Sequence, residues 1–142
     1  MTDSPRTPYD ALGEAGIRTL VDRFYDLMET RPDATTIRAM HASDLTPMKE
    51  KLAVFLIGWM GGPSDYTKRF GSINVPLVHA PYAIGPGERD AWMPCMEQAL
   101  TECDLPEALR DRVTTLFAQM AEMCRTRESD GSLRPQFSQP TR

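Results

Sequence analysis

Apolar residues recur at the three- and four-residue spacing of a helix face in four stretches of the chain, over about 14–29, 46–60, 86–102 and 106–126. In chain order these faces carry Ile17, Leu20, Val21, Phe24, Tyr25 and Met28; Met48, Leu52, Phe55 and Trp59; Trp92, Cys95, Met96, Ala99 and Cys103; and Leu109, Val113, Leu116, Phe117, Met120 and Cys124. No stretch alternates convincingly with the period of two that marks a half-buried strand. The pattern therefore predicts an all-α protein, and the short link before residue 106 predicts that the last two helices are antiparallel neighbours.

Capping residues indicate where these helices begin. Thr46 is a candidate cap for the second helix, and Asp104 with Glu107 suggests a capping box for the fourth. Shorter helical turns are expected over 33–40 and 66–71. Residues 71–85 differ, because two prolines and two glycines leave them without a clear period. A long irregular stretch within a compact domain is often functional, and this one holds His79, one of two histidines.

The composition suits one folded domain. The chain has 142 residues, of which 41% are hydrophobic, and a formal charge of −4 with no basic stripe that would favour nucleic acid. Its longest apolar run, over 53–60, is far shorter than the ~20 residues that span a bilayer. The N-terminus lacks an apolar signal core, so we expect a cytoplasmic protein. The three cysteines form no Cys-x-x-Cys pair and are interpreted as buried, reduced thiols.

Polar residues and prolines mark both ends of the chain as different from its middle. We expect residues 1–8 to be flexible, 9–126 to form the domain, and 127–142 to be disordered.

Four side chains could carry chemistry, and each also has an ordinary structural interpretation. His79 could be a core histidine with one hydrogen bond or an axial ligand of haem iron, for which one protein ligand is enough. A four-ligand zinc site is disfavoured by two histidines and three scattered cysteines. Trp92 and Tyr25 could fill the core or donate hydrogen bonds into a cavity, and His41 could be a solvated loop histidine.

Four segments together resemble one family. They are residues 20–25 (LVDRFY), 51–63 (KLAVFLIGWMGGP), 79–84 (HAPYAI) and 88–96 (ERDAWMPCM). Their order and spacing resemble those of the group II truncated haemoglobins, and the resemblance covers about residues 9–125. It implies a two-over-two helical sandwich that binds haem b.

The resemblance also implies roles for individual residues. His79 corresponds to the proximal ligand of the iron, and Trp92 and Tyr25 to donors toward the bound ligand. The distal pocket would consist of Tyr25, Phe24, His41, Met48, Leu52 and Trp92. The haem would contact Leu52, Phe55, Tyr66, Lys68, Arg69, Val78, Tyr82, Ile84 and Met96. Many relatives have arginine where this chain has Val78, so Lys68, Arg69 or Tyr66 would have to contact the propionates instead.

Three hypotheses for function follow. The first is a dioxygen-binding haem protein with slow release, because two donors stabilise a partly anionic ligand. The second is a redox enzyme that detoxifies nitric oxide or peroxide and takes electrons from a separate reductase, with His41 assisting proton transfer. The third is a haem-free helical interaction module. Carbon monoxide is a further candidate ligand, His41 could bind iron as a sixth ligand, and the protein is expected to be a monomer or homodimer without nucleic-acid or membrane partners.

Overall fold

The computed structural model describes residues 7–41, 43–71, 79 and 82–135. Within these ranges the α-helices are α1 Pro8–Thr30, α2 Thr35–Ala39, α3 Thr46–Trp59, α4 Tyr66–Phe70, α5 Pro86–Thr101 and α6 Glu107–Met123, with a 3-10 helix at Pro32–Ala34. The described residues contain no strand beyond one β-bridge between Arg127 and Leu133. The all-α prediction is therefore confirmed. None of the described helices is both long and apolar enough to cross a membrane.

Helix α1 begins six residues before the predicted start at 14. The side chain of Thr7 accepts a hydrogen bond from the Asp10 N–H at 3.0 Å, and the Asp10 carboxylate accepts one from the Thr7 N–H at 3.2 Å. This capping box starts a short first segment, which Gly13 interrupts with a φ of 68°. Because that left-handed conformation suits glycine, the helix changes direction there, and the predicted apolar periodicity starts only after the kink.

The predicted caps of α3 and α6 are wrong. Leu45 is the residue that precedes α3, and the Thr46 N–H donates to the Asp44 carboxylate at 3.0 Å. Helix α6 follows Pro106 without a side-chain cap, so Asp104 and Glu107 form no capping box. Proline fixes its own φ and lacks an N–H, which allows it to begin a helix without a polar cap.

The four long helices pack as two pairs, α1 with α3 and α5 with α6. Helix α1 packs against α3 and α5, and α5 packs against α6. All six residues of the predicted α1 face are at most 3% exposed, so this part of the core is as predicted. On α6, Val113 and Phe117 are buried, but Leu116 is 41% exposed and does not belong to the core as expected. All three cysteines are free thiols, with Cys95 and Cys124 buried and Cys103 partly buried.

Helix α3 is apolar on two sides. Its deeply buried residues are Ala53, Val54, Leu56 and Ile57. The predicted stripe of Met48, Leu52, Phe55 and Trp59 is instead only half-buried. The stripe therefore does not form the main contact of α3 with the core, as the sequence pattern suggested, and a second apolar face of the helix is left partly uncovered.

The chain folds back after α6, where sequence analysis predicts disorder from residue 127. The Arg134 N–H donates to the Thr126 carbonyl at 2.9 Å, and the Glu128 N–H donates to the Ser132 carbonyl at 2.8 Å. These backbone hydrogen bonds lie in the first part of the segment that is predicted to be disordered, and the prediction for 127–142 stays a prediction. Residues 136–142 lie outside the described residues.

Candidate functional site

Tyr25 is a nearly buried hydrogen-bond donor on α1. It is 3% exposed, and within the described part of the chain its hydroxyl has no hydrogen-bond partner. Burial raises the pKa of Tyr25 to about 12, because the anionic form would lose its hydration. Tyr25 therefore keeps its proton at any physiological pH and is available to donate it to a ligand.

His41 lies directly beside this tyrosine, just after α2. The two ring centroids are 5.8 Å apart in an edge-to-face arrangement. The Nδ1 atom of His41 is 2.8 Å from the Ile37 carbonyl oxygen. Because a carbonyl only accepts hydrogen bonds, this contact requires a proton on Nδ1, and Nε2 is the nitrogen left for another partner. His41 is thus an acceptor next to a donor.

Trp92 on α5 is joined to this pair through Phe24. The centroid of the Phe24 ring is 5.0 Å from that of Tyr25 and 5.1 Å from that of Trp92. Trp92 is half-buried and also packs against Phe117 of α6, at 5.8 Å. Its indole N–H has no hydrogen-bond partner among the residues that the structure describes. The structure therefore brings Tyr25, His41 and Trp92 into one aromatic cluster that contains two unused donors.

The second apolar face of α3 adds a hydrophobic wall. Phe55 stacks on Trp59 at 6.4 Å and meets the Tyr66 ring edge-to-face at 5.9 Å. Met48 and Leu52 lie on the same half-buried stripe. Met96, predicted to contribute to this wall from α5, is fully buried in the core.

His79 is half-buried, and its backbone carbonyl accepts a hydrogen bond from a residue further along the chain. The Tyr82 N–H donates to the His79 carbonyl at 3.0 Å. The Tyr82 side chain is 43% exposed, whereas Ile84 is partly buried and hydrogen-bonded to Thr126. Val78 lies outside the described residues.

The three candidates for a propionate contact differ in their availability. Tyr66 is buried, with its ring packed on Phe55 and Phe70. Arg69 already pairs with Glu50 at 2.7 Å, while the side chain of Lys68 is 80% exposed. Hydrogen bonds from Arg18 and Arg69 lower the pKa of Glu50 to about 2. Lys68 is therefore the cation that could contact a new anion at the lowest cost.

Two residues of this region were missed by sequence reasoning as members of the site. Phe117 links Trp92 to Trp59, whose ring centroid is 4.8 Å away, but the periodicity of α6 marked it only as a core residue. Thr126 is fully buried and holds the segment after His79. Nothing in its sequence neighbourhood distinguishes it from a surface threonine.

Comparison with known proteins defines the class to which this fold and site belong. A family model described as bacterial-like globin matches residues 7–126. The group 2 truncated hemoglobin YjbI of Bacillus subtilis is 33% identical over 111 residues, covering 78% of this chain and 82% of that protein. The group II 2-on-2 hemoglobin of Agrobacterium tumefaciens has a TM-score of 0.82 at 33% identity and covers 91% of this chain and 100% of that one.

A further solved structure is that of a haemoglobin described as oxygen-avid. The structure of the truncated oxygen-avid haemoglobin from Bacillus subtilis has a TM-score of 0.77 at 30% identity and covers 84% of this chain and 99% of that one. The chain therefore belongs to the bacterial-like globin family, in its group II truncated haemoglobin branch, and has the two-over-two helical sandwich of that branch. The family implies haem-based binding of small gaseous ligands.

The described side chains fit a haem group. A porphyrin is a large, flat, mostly apolar molecule, and the half-buried stripe on α3 offers an apolar face of matching character. The iron needs one nitrogen ligand from the protein, and a ligand bound to the iron needs hydrogen-bond donors. Tyr25 and Trp92 are donors that no described residue uses.

Proposed function

We propose that this protein binds haem b through His79 and holds dioxygen at the iron by hydrogen bonds from Tyr25 and Trp92. The observation that carries the proposal is the Tyr25 hydroxyl, which is nearly buried and has no partner among the described residues. Most hydrogen-bond donors in a protein interior have a partner, so a nearly buried hydroxyl that keeps none among the described residues is best explained by a ligand that the hydroxyl serves.

The donors and the apolar wall act on the ligand in different ways. The iron of a haem group binds diatomic gases and shifts negative charge onto dioxygen. Hydrogen bonds from Tyr25 and Trp92 stabilise this charge, and hydrogen bonds to charged groups contribute about 1.5–3 kcal/mol each. Met48, Leu52 and Phe55 would contact the porphyrin and exclude water, which strengthens both hydrogen bonds. Slow release of the ligand is the expected consequence.

Electrostatics supports a surface position for the propionates. Lys68 is exposed and pairs with Asp65 only at 4.0 Å, so it can turn toward a propionate with little loss. Arg69 would first have to give up its short contact with Glu50. We therefore assign the first propionate contact to Lys68 and a secondary one to Arg69.

A stopped-flow experiment tests the proposal. The haem-loaded ferrous protein is saturated with oxygen and mixed with excess carbon monoxide, so that the observed rate reports oxygen release. We expect slow release from the unmodified protein and release at least about 100-fold faster from the Tyr25→Phe/Trp92→Phe double variant, if the two contributions add. Trp59→Phe is the matched control, because that tryptophan stacks on Phe55 in the same aromatic cluster. Equal rates in all three proteins would refute the assignment.

A second candidate is reductive or oxidative detoxification of peroxide or nitric oxide with electrons from a separate reductase. It is favoured by His41, whose ring packs edge-to-face against that of Tyr25 and whose Nε2 is free of the Ile37 contact and could accept a proton. In a reductase-supplied assay, sustained turnover that falls in His41→Phe while oxygen release stays unchanged would support it. A single stoichiometric reaction without turnover would argue against it.

A further inference from the structure

Thr126 is the one fully buried polar residue among those that the structure describes. Its hydroxyl accepts a hydrogen bond from the Ile84 N–H at 2.8 Å and donates one to the Tyr82 carbonyl at 2.5 Å. The backbone N–H groups of Thr126 and Arg127 both donate to the Ile84 carbonyl, at 2.8 and 2.9 Å. Four hydrogen bonds thus fasten residues 82–84 to the end of α6.

The segment that Thr126 fastens is also hydrogen-bonded to the backbone of His79. The Tyr82 N–H donates to the His79 carbonyl at 3.0 Å, while the Tyr82 carbonyl accepts the Thr126 hydroxyl. Tyr82 is therefore hydrogen-bonded to His79 through its N–H and to Thr126 through its carbonyl. A shift of Thr126 would move the backbone of His79 through only two hydrogen bonds.

Thr126 is also hydrogen-bonded to the segment that follows it in the chain. Its carbonyl accepts the Arg134 N–H at 2.9 Å. The guanidinium of Arg134 donates to the backbone carbonyls of Glu122 at 2.7 Å and Arg125 at 3.3 Å, and it pairs with the Glu122 carboxylate at 3.3 Å. The turn over 126–134 is thereby bonded to the last turn of α6, so Thr126 is attached to the helix on this side as well.

We propose that Thr126 is a positioning residue that fixes the orientation of the His79 imidazole relative to α6. The inference rests on the proposed function, because it takes His79 to be the iron ligand. Hydrogen bonds that orient a metal-ligating histidine tune the bond to the metal. Thr126 exerts this effect through the backbone of the segment that carries the ligand rather than through the ring.

Three variants distinguish the effect of losing the Thr126 hydroxyl from a general effect on folding. Thr126→Val keeps the branched shape but leaves the Ile84 N–H and Tyr82 carbonyl without their partner. Thr126→Ser keeps the hydroxyl and should restore the behaviour of the unmodified protein. Thr114→Val is the matched control, because this threonine lies on α6 and donates its hydroxyl to the Arg110 carbonyl at 2.8 Å.

Amide hydrogen exchange measured by NMR on the protein as purified tests the attachment. Protection of the Ile84 amide should fall at least about tenfold in Thr126→Val, since a buried polar group loses its partner. It should recover in Thr126→Ser and stay unchanged in Thr114→Val. Unchanged protection in Thr126→Val would refute the attachment. If that variant does not fold, Thr126→Ala, which also removes the hydroxyl and leaves less bulk at this position, should show the same loss, and unchanged protection there would also refute it.

Resonance Raman spectroscopy of the haem-loaded ferrous protein tests the effect on His79. The stretching vibration of the bond between iron and His79 should shift or broaden in Thr126→Val and return in Thr126→Ser. An unmoved vibration would overturn the positioning role even if hydrogen exchange changed. The Soret band is recorded in parallel, so that failure to bind haem counts against the proposed function, whereas the exchange data still report on Thr126 itself.

Discussion

Replacing Tyr25 with phenylalanine removes one oxygen atom from the site and leaves its packing in place. The ring contacts Phe24 at 5.0 Å and His41 at 5.8 Å, and both contacts are available to phenylalanine. What changes is the hydroxyl of a residue that is 3% exposed, and its burial is the cause of the raised pKa of Tyr25. We expect the substitution to have opposite effects on ligand binding and on stability.

The two magnitudes follow from the same hydroxyl. A hydrogen bond to a charged ligand contributes about 1.5–3 kcal/mol, so with ~1.4 kcal/mol per tenfold its loss should accelerate oxygen release about 10- to 100-fold. Without a ligand the hydroxyl has no partner in the described chain and is not one of its fully desolvated atoms, so its removal breaks no hydrogen bond of the fold. Because Tyr25 keeps 3% of its surface exposed, we expect the free energy of unfolding to stay equal or to rise by no more than about 1 kcal/mol.

Two assays on the same pair of proteins check this expectation. Oxygen release is followed by stopped flow, and the free energy of unfolding is obtained from urea titration of the ligand-free protein at equal haem content. Faster release together with equal or higher stability is the predicted result. A Tyr25→Phe protein that is less stable by more than about 1 kcal/mol would show that the hydroxyl serves the fold, and the reasoning would be refuted.

Three further predictions concern Trp92 and the response to pH. Trp92→Phe should accelerate oxygen release about tenfold or more, whereas Trp59→Phe should not; equal effects in stopped flow would remove the indole N–H from the mechanism. Tyr25 and Cys124 have pKa values near 12, above their ordinary values of 10.0 and 9.0, because both are buried. The unfolded chain therefore loses these protons first, and the free energy of unfolding should fall as the pH rises from 9 to 12; a constant value in urea titrations would contradict this. Glu50, with its pKa lowered to about 2 from 4.5, should contribute stability that is lost as the pH falls between these values, and Glu50→Gln should flatten this part of the profile. The effect should be small, since Glu50 is partly exposed and its pairs are screened, and a steep acid loss that persists in Glu50→Gln would point to other carboxylates.

Local patterns predicted much of the fold because they reflect contacts within a single helix. The face of α1 could be predicted because all of its buried residues share one spacing. Helix α3 could not be assigned in the same way, since it is apolar on two sides and periodicity reveals only the more regular stripe. The start of α1 depended on the Thr7 capping box and the kink at Gly13, which precede the periodic pattern.

The candidate site was predictable where side-chain identity carries its chemistry. Tyr25, Trp92 and His79 each also had an ordinary structural interpretation, and only the resemblance to a family implied their roles, which stay predictions. Thr126 did not stand out, because it acts on backbone groups 42 and 44 residues earlier in the chain. Contacts between a side chain and a distant backbone leave no local pattern in the sequence.

Haem uptake by a protein without the His79 imidazole is the most direct test of the central claim. Haemin is titrated into His79→Gly with and without free imidazole, and the Soret band is recorded, with His41→Ala as the matched control. We predict that His79→Gly loses the band of the unmodified protein, that imidazole restores it, and that His41→Ala keeps it. A band in His79→Gly that matches the unmodified protein and ignores added imidazole would contradict the assignment of His79 as the iron ligand.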